Sequence, residues 1–320
     1  MSIVGHTCDC GASRTVTAAK ALNDNRMRRL DMDRVPAEIC GEIYGFACVD
    51  DGRTGRALSL VSRFVHETSK AYKLQSIAVI GQTQLFAFAD LIEHTPIHLR
   101  RVDCIFLSAH SRHTASDPRA LSPEYVRKQD VYYALERILR AISSCVRIIH
   151  AFFVFIRPFA LLPVSLPALE ELVIHGPMDT SIDVDHSIQF TALKHLNLTT
   201  PCHPAVLLDK VLQLTPSLVT LCITASDRSS LHAIGWSAII KSSFPTHLRR
   251  ILIHVPTKPK GEFVETLGIY NRIMLALRVL ADSDQRVTLL LPIQLHLFSM
   301  VSIQDAEATW NVSAAGIPWW

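Results

Sequence analysis

This chain has no phosphate-cradling glycine loop, no nucleophile elbow and no paired metal-ligand motif, so a catalytic reading has no residues to rest on. No enzyme activity, cofactor or metal is expected. Charge of one sign is scarce as well. A net charge of only +3 gives no chain-wide electrostatic case for nucleic acid or an anionic membrane, and a local cluster such as Arg26, Arg28 and Arg29 is too small to change this. No apolar run follows Met1, so a secretory signal is not expected and the chain reads as intracellular, cytoplasmic or nuclear. The most apolar stretch, Ala151 to Ile174, is interrupted by Arg157, Pro158, Pro163 and Pro167, whereas a membrane span needs about 20 apolar residues. It reads as buried strand and linker. Without export, the 8 cysteines are expected to stay reduced and to pack as small hydrophobes, and the sequons at Asn197 and Asn311 are accidental.

What the chain does have is apolar material, 49% of 320 residues, and a repeat. One phrase returns: an apolar residue, two free positions, an apolar residue, one free position, an apolar residue. It reads Leu169-Glu170-Glu171-Leu172-Val173-Ile174, then Leu193-Lys194-His195-Leu196-Asn197-Leu198, then Leu218-Val219-Thr220-Leu221-Cys222-Ile223, then Leu248-Arg249-Arg250-Ile251-Leu252-Ile253. An earlier copy is Leu99-Arg100-Arg101-Val102-Asp103-Cys104, and weaker ones begin at Leu74 and Val146. From Leu169 the first leucines are 24, 25 and 30 residues apart, the range of leucine-rich repeats that pair one short strand with one helix. One such unit cannot bury its apolar residues alone, so the units stack, with strands in one parallel sheet and helices on the convex side. Strands are expected near 76 to 80, 101 to 106, 148 to 154, 171 to 175, 195 to 199, 220 to 224 and 250 to 254, with a last one at Val287 to Leu291.

Three segments follow: an aperiodic tail over 1–30, a helical bundle over 31–72 and an irregular repeat domain over 73–320. In the tail, His6, Cys8 and Cys10 lack the second ligand pair of a structural zinc site. In the bundle, Pro36 suits a first helical turn, and Ile39, Ile43 and Phe46 form one apolar stripe opposite Glu38 and Glu42. Gly41 and Gly45 sit inside this helix, each costing about 1 kcal/mol relative to Ala. Asp50, Asp51 and Gly52 break it, Thr54 can cap the next helix, and Ala57, Leu60, Val61 and Phe64 again follow helical spacing, before a third short helix reaching about Ala71. A bundle this small is marginal alone and should lean on a partner or on the repeats.

Two blocks, Val35-Pro36-Ala37-Glu38-Ile39 and Leu58-Ser59-Leu60-Val61-Ser62-Arg63-Phe64, resemble the two halves of an F-box, with Val35 standing where the family usually has Leu. The stretch from Asp50 to Arg56 leading into the second block is most similar to fungal F-box-like sets. An F-box-like block followed by leucine-rich repeats is the order of parts in a class of ubiquitin-ligase receptors. The resemblance implies that Val35, Pro36, Ile39, Ile43, Leu58, Leu60, Val61 and Phe64 meet a Skp-type adaptor of a cullin complex, and that the repeats hold a substrate protein. The alternative is a leucine-rich-repeat scaffold whose degenerate F-box only caps the solenoid, with no ligase role.

Repeat helices are expected to turn inward Leu85, Phe88, Ala89 and Ile92, then Val131, Leu135, Ile138 and Ile142 on a helix starting at Ser122-Pro123, after a surface loop from Ser108 to Ser122. Later ones carry Leu207, Val211 and Leu214, then Leu231, Ile234 and Ala238, then Phe263, Leu267, Tyr270, Met274 and Leu277. Trp310, Trp319 and Trp320 read as a cover for the open end of the last repeat. His150, His175, His195 and His254 point away from the core as ordinary surface residues, and Asp179, Asp183 and Asp185 form a solvated loop without the glycine of a calcium site. Strand alternation places Arg101, Asp103, Phe152, Glu171, His175, His195, Asn197, Thr220 and Arg250 along the concave surface as the substrate-binding residues.

Overall fold

The computed structural model describes residues 35–111, 128–153, 155, 157–179, 185, 187–199, 204–224, 244–259, 264–292 and 302–318. The apolar phrases become strands: β1 (Ser76–Ile80), β2 (Cys104–Ser108), β3 (Ile148–Phe152), β4 (Glu171–His175), β5 (His195–Thr199), β6 (Thr220–Thr224), β7 (Arg250–His254) and β8 (Val287–Leu290). They lie side by side in sequence order, every pair parallel, in one eight-stranded sheet. Each strand places two apolar residues of its phrase on one face. Ile105, Leu107, Ile149, Ala151, Leu172, Ile174, Leu196, Leu198, Leu221, Ile223, Ile251 and Ile253 make a continuous buried ladder there. At about 1.5–3 kcal/mol for each fully buried Leu or Ile, this ladder is the main favourable term of the fold.

The sheet corrects one phrase. Cys104 pairs with Ile148 and Ile148 with Glu171, so β2 begins at the third position of a phrase that starts at Val102 rather than Leu99. Val102 is buried as the first apolar residue should be, while Leu99 closes a short 3-10 turn over Ile97–Leu99.

Before the sheet stand α1 (Ala37–Ala47), α2 (Arg53–Leu58) and α3 (Arg63–Ser69). Their own small core is Cys40, Tyr44 and Val65, with Val35, Leu58, Phe64 and Tyr72 packed against it. The face of α1 that is buried is therefore the one carrying Cys40 and Tyr44, and the stripe Ile39, Ile43, Phe46 is turned outward. Gly41 fits the choice: a Cβ there would sit 2.7 Å from the Tyr72 hydroxyl, so a larger residue would push on that ring, which crosses the helix edge-on to Tyr44 at 6.2 Å. The second helix is also shorter than its spacing suggests. A turn at Ser59 to Val61 ends it, and Ser62 starts α3 by accepting from the Val65 amide at 3.2 Å. Asp50, not Thr54, closes the front of α2: its carboxylate accepts from the Gly52 amide at 3.1 Å and from the Thr54 amide and hydroxyl at 3.0 and 2.7 Å.

The bundle leans on the sheet through close backbone approach. A Cβ on Gly55 would come within 2.7 Å of the Lys73 carbonyl oxygen, and the Gln75 side chain donates to the Gly45 carbonyl at 2.9 Å.

Four crossovers carry helices among the described residues: α4 (Gln82–His94), α5 (Lys128–Ile142), α6 (Pro204–Leu214) and α7 (Val264–Ser283). The residues expected inward on α4, α5 and α6 are all buried in the main core. On α7 the buried face is Ile273, Ala276, Leu277 and Leu280, while Leu267 is exposed and Tyr270 and Met274 are half-buried. Parallel strands need a crossover of some kind, but not a helix. Between β3 and β4, prolines exclude one, and Phe153, Phe155, Leu161, Leu162 and Leu166 fill the core directly. A fully buried Arg157 ties that segment together, donating to the carbonyls of Phe159, Gly176 and Ala160 at 3.0–3.2 Å. The helix expected around Leu231, Ile234 and Ala238, the helix start at Ser122-Pro123, most of the preceding loop, Phe263, Asp183, the tail cysteines, Trp319 and Trp320 lie outside the described residues.

The last described helix, α8 (Ile303–Ala314), is capped by Ser302, whose hydroxyl accepts from the Asp305 amide at 3.0 Å. It does not cover the end of the last repeat. It lies across the sheet face opposite α4 to α7, over β2 and β3, where Ile303, Ala306, Trp310 and Ala314 pack on Ile80, Cys104, Phe106 and Phe152 as a second, separate core. Those large apolar residues at the start of the sheet need cover, and the polar residues further along do not.

Candidate functional site

The side chains that alternate away from the main core form the front face, with three rows set by register. The first runs Ser76, Cys104, Ile148, Glu171, His195, Thr220, Arg250. The second runs Ala78, Phe106, His150, Val173, Asn197, Cys222, Leu252, and the third begins Ile80, Ser108, Phe152, His175. Apolar character at β1 to β3 therefore gives way to polar character from β4 onward.

Of the residues expected on the concave surface, Glu171, His175, His195, Asn197, Thr220, Arg250 and Phe152 are on this face, but they differ in access. Phe152 is 2% exposed, its ring sealed in the second core 6.0 Å from His175, so it is core and not a contact residue. Glu171, His175 and Thr220 are buried too, His195 and Asn197 half-buried, and Arg250 exposed. Arg101 and Asp103 are not on the sheet at all, because of the three-residue shift of β2. Asp103 instead lies at the leading edge, where its Oδ2 accepts from Arg147 Nη2 at 2.6 Å. Lys194 donates to Glu170 at 3.2 Å one strand pair further on, so alternating charges run along this edge.

Burial governs the chemistry of the front face. His150 is fully buried, and its Nε2 donates to Glu171 Oε1 at 3.1 Å. Desolvation lowers its pKa, partly offset by that carboxylate, so the imidazole is neutral and the contact is a hydrogen bond rather than an ion pair. His175 is pushed down to about 3 by burial and by His150. Both of its ring nitrogens, together with His150 Nδ1, Asn197 Oδ1, Ser76 Oγ, and Trp310 Nε1 and Ser313 Oγ from α8, are buried without a hydrogen-bond partner. The chain past α8 continues over the face. Ser313, Ile317 and Pro318 line one side of a groove of about 250 Å³, with Arg147, Glu171 and Lys194 on the other.

The second candidate surface is on the bundle. Val35, Leu58 and Phe64 are half-buried against its core. Pro36, Ile39, Ile43, Leu60 and Val61 are exposed, with Ile39 and Ile43 each at 49% and Leu60 at 87%. Phe46, 83% exposed one turn beyond Ile43, belongs with them and was absent from the expected docking residues. Its place at i, i+4, i+7 with Ile39 and Ile43 was the signal for it.

Among the described residues, no three His, Cys, Asp or Glu side chains converge to hold a metal ion, and no helix is long and apolar enough to cross a membrane. No protein-family model, curated protein or solved structure matches the chain. What the geometry defines is an α/β protein of stacked strand units, with a helical bundle that keeps an apolar stripe in solvent and a sheet face partly roofed by its own last helix.

Proposed function

We propose that this protein is a non-catalytic receptor of a cullin-RING ubiquitin ligase, in which an F-box-like bundle docks a Skp-type adaptor and a leucine-rich-repeat face captures a substrate protein. The observation that carries the reading is the solvent exposure of Ile39, Ile43, Phe46, Leu60 and Val61 on a bundle that already satisfies its own core and its contact with β1 by other residues. Were these helices only a cap for the solenoid, the stripe would be spent against the first strand. Five exposed large apolar residues on so small a bundle fit a docking surface. Gly41, a departure from a good helix former, leaves the room that the Tyr72 ring occupies. The capture role falls to the front face, on which Arg250, Asn197 and His195 are the accessible polar residues.

Because Ile43 is exposed, Ile43→Asp should leave the fold intact, within about 0.5 kcal/mol of wild type. Co-purification with adaptor and cullin, with circular dichroism alongside, is the test. Wild type should retain adaptor and Ile43→Asp should lose it with an unchanged spectrum. No capture by wild type, or equal capture by the folded variant, would hand the bundle back to the scaffold reading.

A further inference from the structure

We propose that the front face of β1 to β3 is a helix-binding site and that α8 is its built-in, displaceable occupant. The partner this face takes then presents an amphipathic helix with a large aromatic residue where Trp310 sits. The inference rests on the reading of the front face as the capture surface, and names the partner's chemistry.

Three observations carry it. First, α8 is not part of the main core. Ile303, Ala306, Trp310 and Ala314 form one stripe at helical spacing and, among the described residues, pack into the separate cluster with Ile80, Cys104, Phe106 and Phe152. The Trp310 ring lies 6.0 Å from that of Phe106. The eight strands pair in one sheet without it, and the main core among the described residues contains none of its side chains.

Second, the seat is imperfectly matched. Trp310 Nε1 and Ser313 Oγ on the helix are buried with no hydrogen-bond partner. Every such atom gave up water without replacement, which subtracts from the free energy that the apolar stripe gains. A core meant to be permanent pairs its polar atoms. A helix carrying phenylalanine where Trp310 sits would strand no indole N–H there and would bind better than α8 does.

Third, the tether permits exchange. Twelve residues separate Leu290 from Ile303, and β8 lies five strands from β3. That is about 24 Å at the usual strand spacing, against a reach of roughly 40 Å for twelve extended residues. The length of the connection therefore does not by itself pin α8 to its seat. Tethering gives α8 a high local concentration, so an outside helix must compete with it rather than find an open face.

The test uses the full chain with a specific protease site placed within residues 293–301 and cut after folding, so that α8 stays seated without its tether. The probe is a fluorescent peptide of Ser302 to Pro318. The cut chain should take up the peptide as a monomer, with its circular dichroism unchanged. A peptide carrying Trp310→Ala should compete at least tenfold more weakly. In the uncut wild-type chain, amide hydrogen exchange of α8 should run at least 100-fold faster than that of β3 to β5. The proposal is overturned if the amides of α8 are protected to the same degree as those strands. It is equally overturned if the peptide is not taken up, if both peptides compete alike, or if uptake occurs only in a dimer that trades α8 between copies. Adaptor capture by the bundle is read separately, so a locked helix and a failed ligase reading are distinguishable outcomes.

Discussion

On one face of the sheet, β2 to β7 present Ile105, Leu107, Ile149, Leu172, Ile174, Leu196, Leu198, Leu221, Ile223, Ile251 and Ile253, all buried under helices and apolar linkers. On the other face the same strands present Cys104, Phe106, His150, Phe152, Glu171, His175, Asn197, Thr220, Cys222 and Arg250. The first set is nearly interchangeable in chemistry, and its contribution is a sum of burial terms that any similar residue would make. The second set is specific. A histidine sits on a carboxylate, aromatic rings sit under a helix, and a row of polar atoms meets no partner. Two faces of one strand thus answer to different demands, the first to fold stability and the second to what lies against it.

The sharpest way to break this contrast is to cut into the interchangeable face. Leu196→Ala, at the centre of the sheet and fully buried, should cost about 2–5 kcal/mol through lost transfer energy and the cavity left behind. A chemical denaturation curve reads this directly. A loss below about 1 kcal/mol would mean that the ladder is not the principal core.

Acid should act on the specific face. His175 is held neutral with its pKa pushed down to about 3, and burial lowers His150 as well, with Glu171 partly offsetting. Unfolded, each takes up a proton near pH 6.5, while the folded chain does not. The stability they permit is therefore fully present above pH 6.5 and falls as pH drops from there toward about 3. At pH 5, about 1.5 pH units below the unfolded value, His175 alone costs up to about 2 kcal/mol. His110, pushed down to about 4 by burial, adds to the same trend. The urea midpoint should fall between pH 7 and pH 5, and His175→Leu should flatten that fall. An unchanged pH dependence in the variant would place the acid sensitivity elsewhere.

The uneven legibility of the sequence follows from the same contrast. The interchangeable face announces itself as a repeated phrase, and strand positions from β3 to β7 follow it closely. The slip at β2 arises because Leu99, Val102 and Ile105 are spaced by three, so two frames satisfy the phrase. Only pairing with Ile148 decides between them. Front-face access was not legible, because nothing within Ile303 to Ala314 states where that stripe will dock. Phe152 and Arg250 occupy alternating positions of the same kind in their phrases, yet one lies under α8 and the other in solvent. In the bundle, the buried side of α1 is matched to a residue 31 positions away, Tyr72, through the space that Gly41 leaves for it. A helical periodicity identifies the stripe Ile39, Ile43, Phe46 but not which way it faces.

The smallest expected effect on stability comes at the other end of the front face. Arg250 begins β7 and is exposed, with Thr220 as its register neighbour on β6. Among the described residues, no buried atom depends on its guanidinium in the way that Arg157 is required by three carbonyls. Truncation should therefore stay within about 0.5 kcal/mol of wild type. If the polar half of this face is where a partner settles, the same change removes a fork of donors from the most accessible cation in the first row, and that loss is felt in binding rather than folding. Arg250→Ala should melt with the wild-type midpoint while partner capture weakens. Phe152→Ala should instead lower the melting midpoint, because its ring belongs to the second core. A variant pair in which Arg250→Ala destabilises and Phe152→Ala does not would invert the assignment of contact and core on this face.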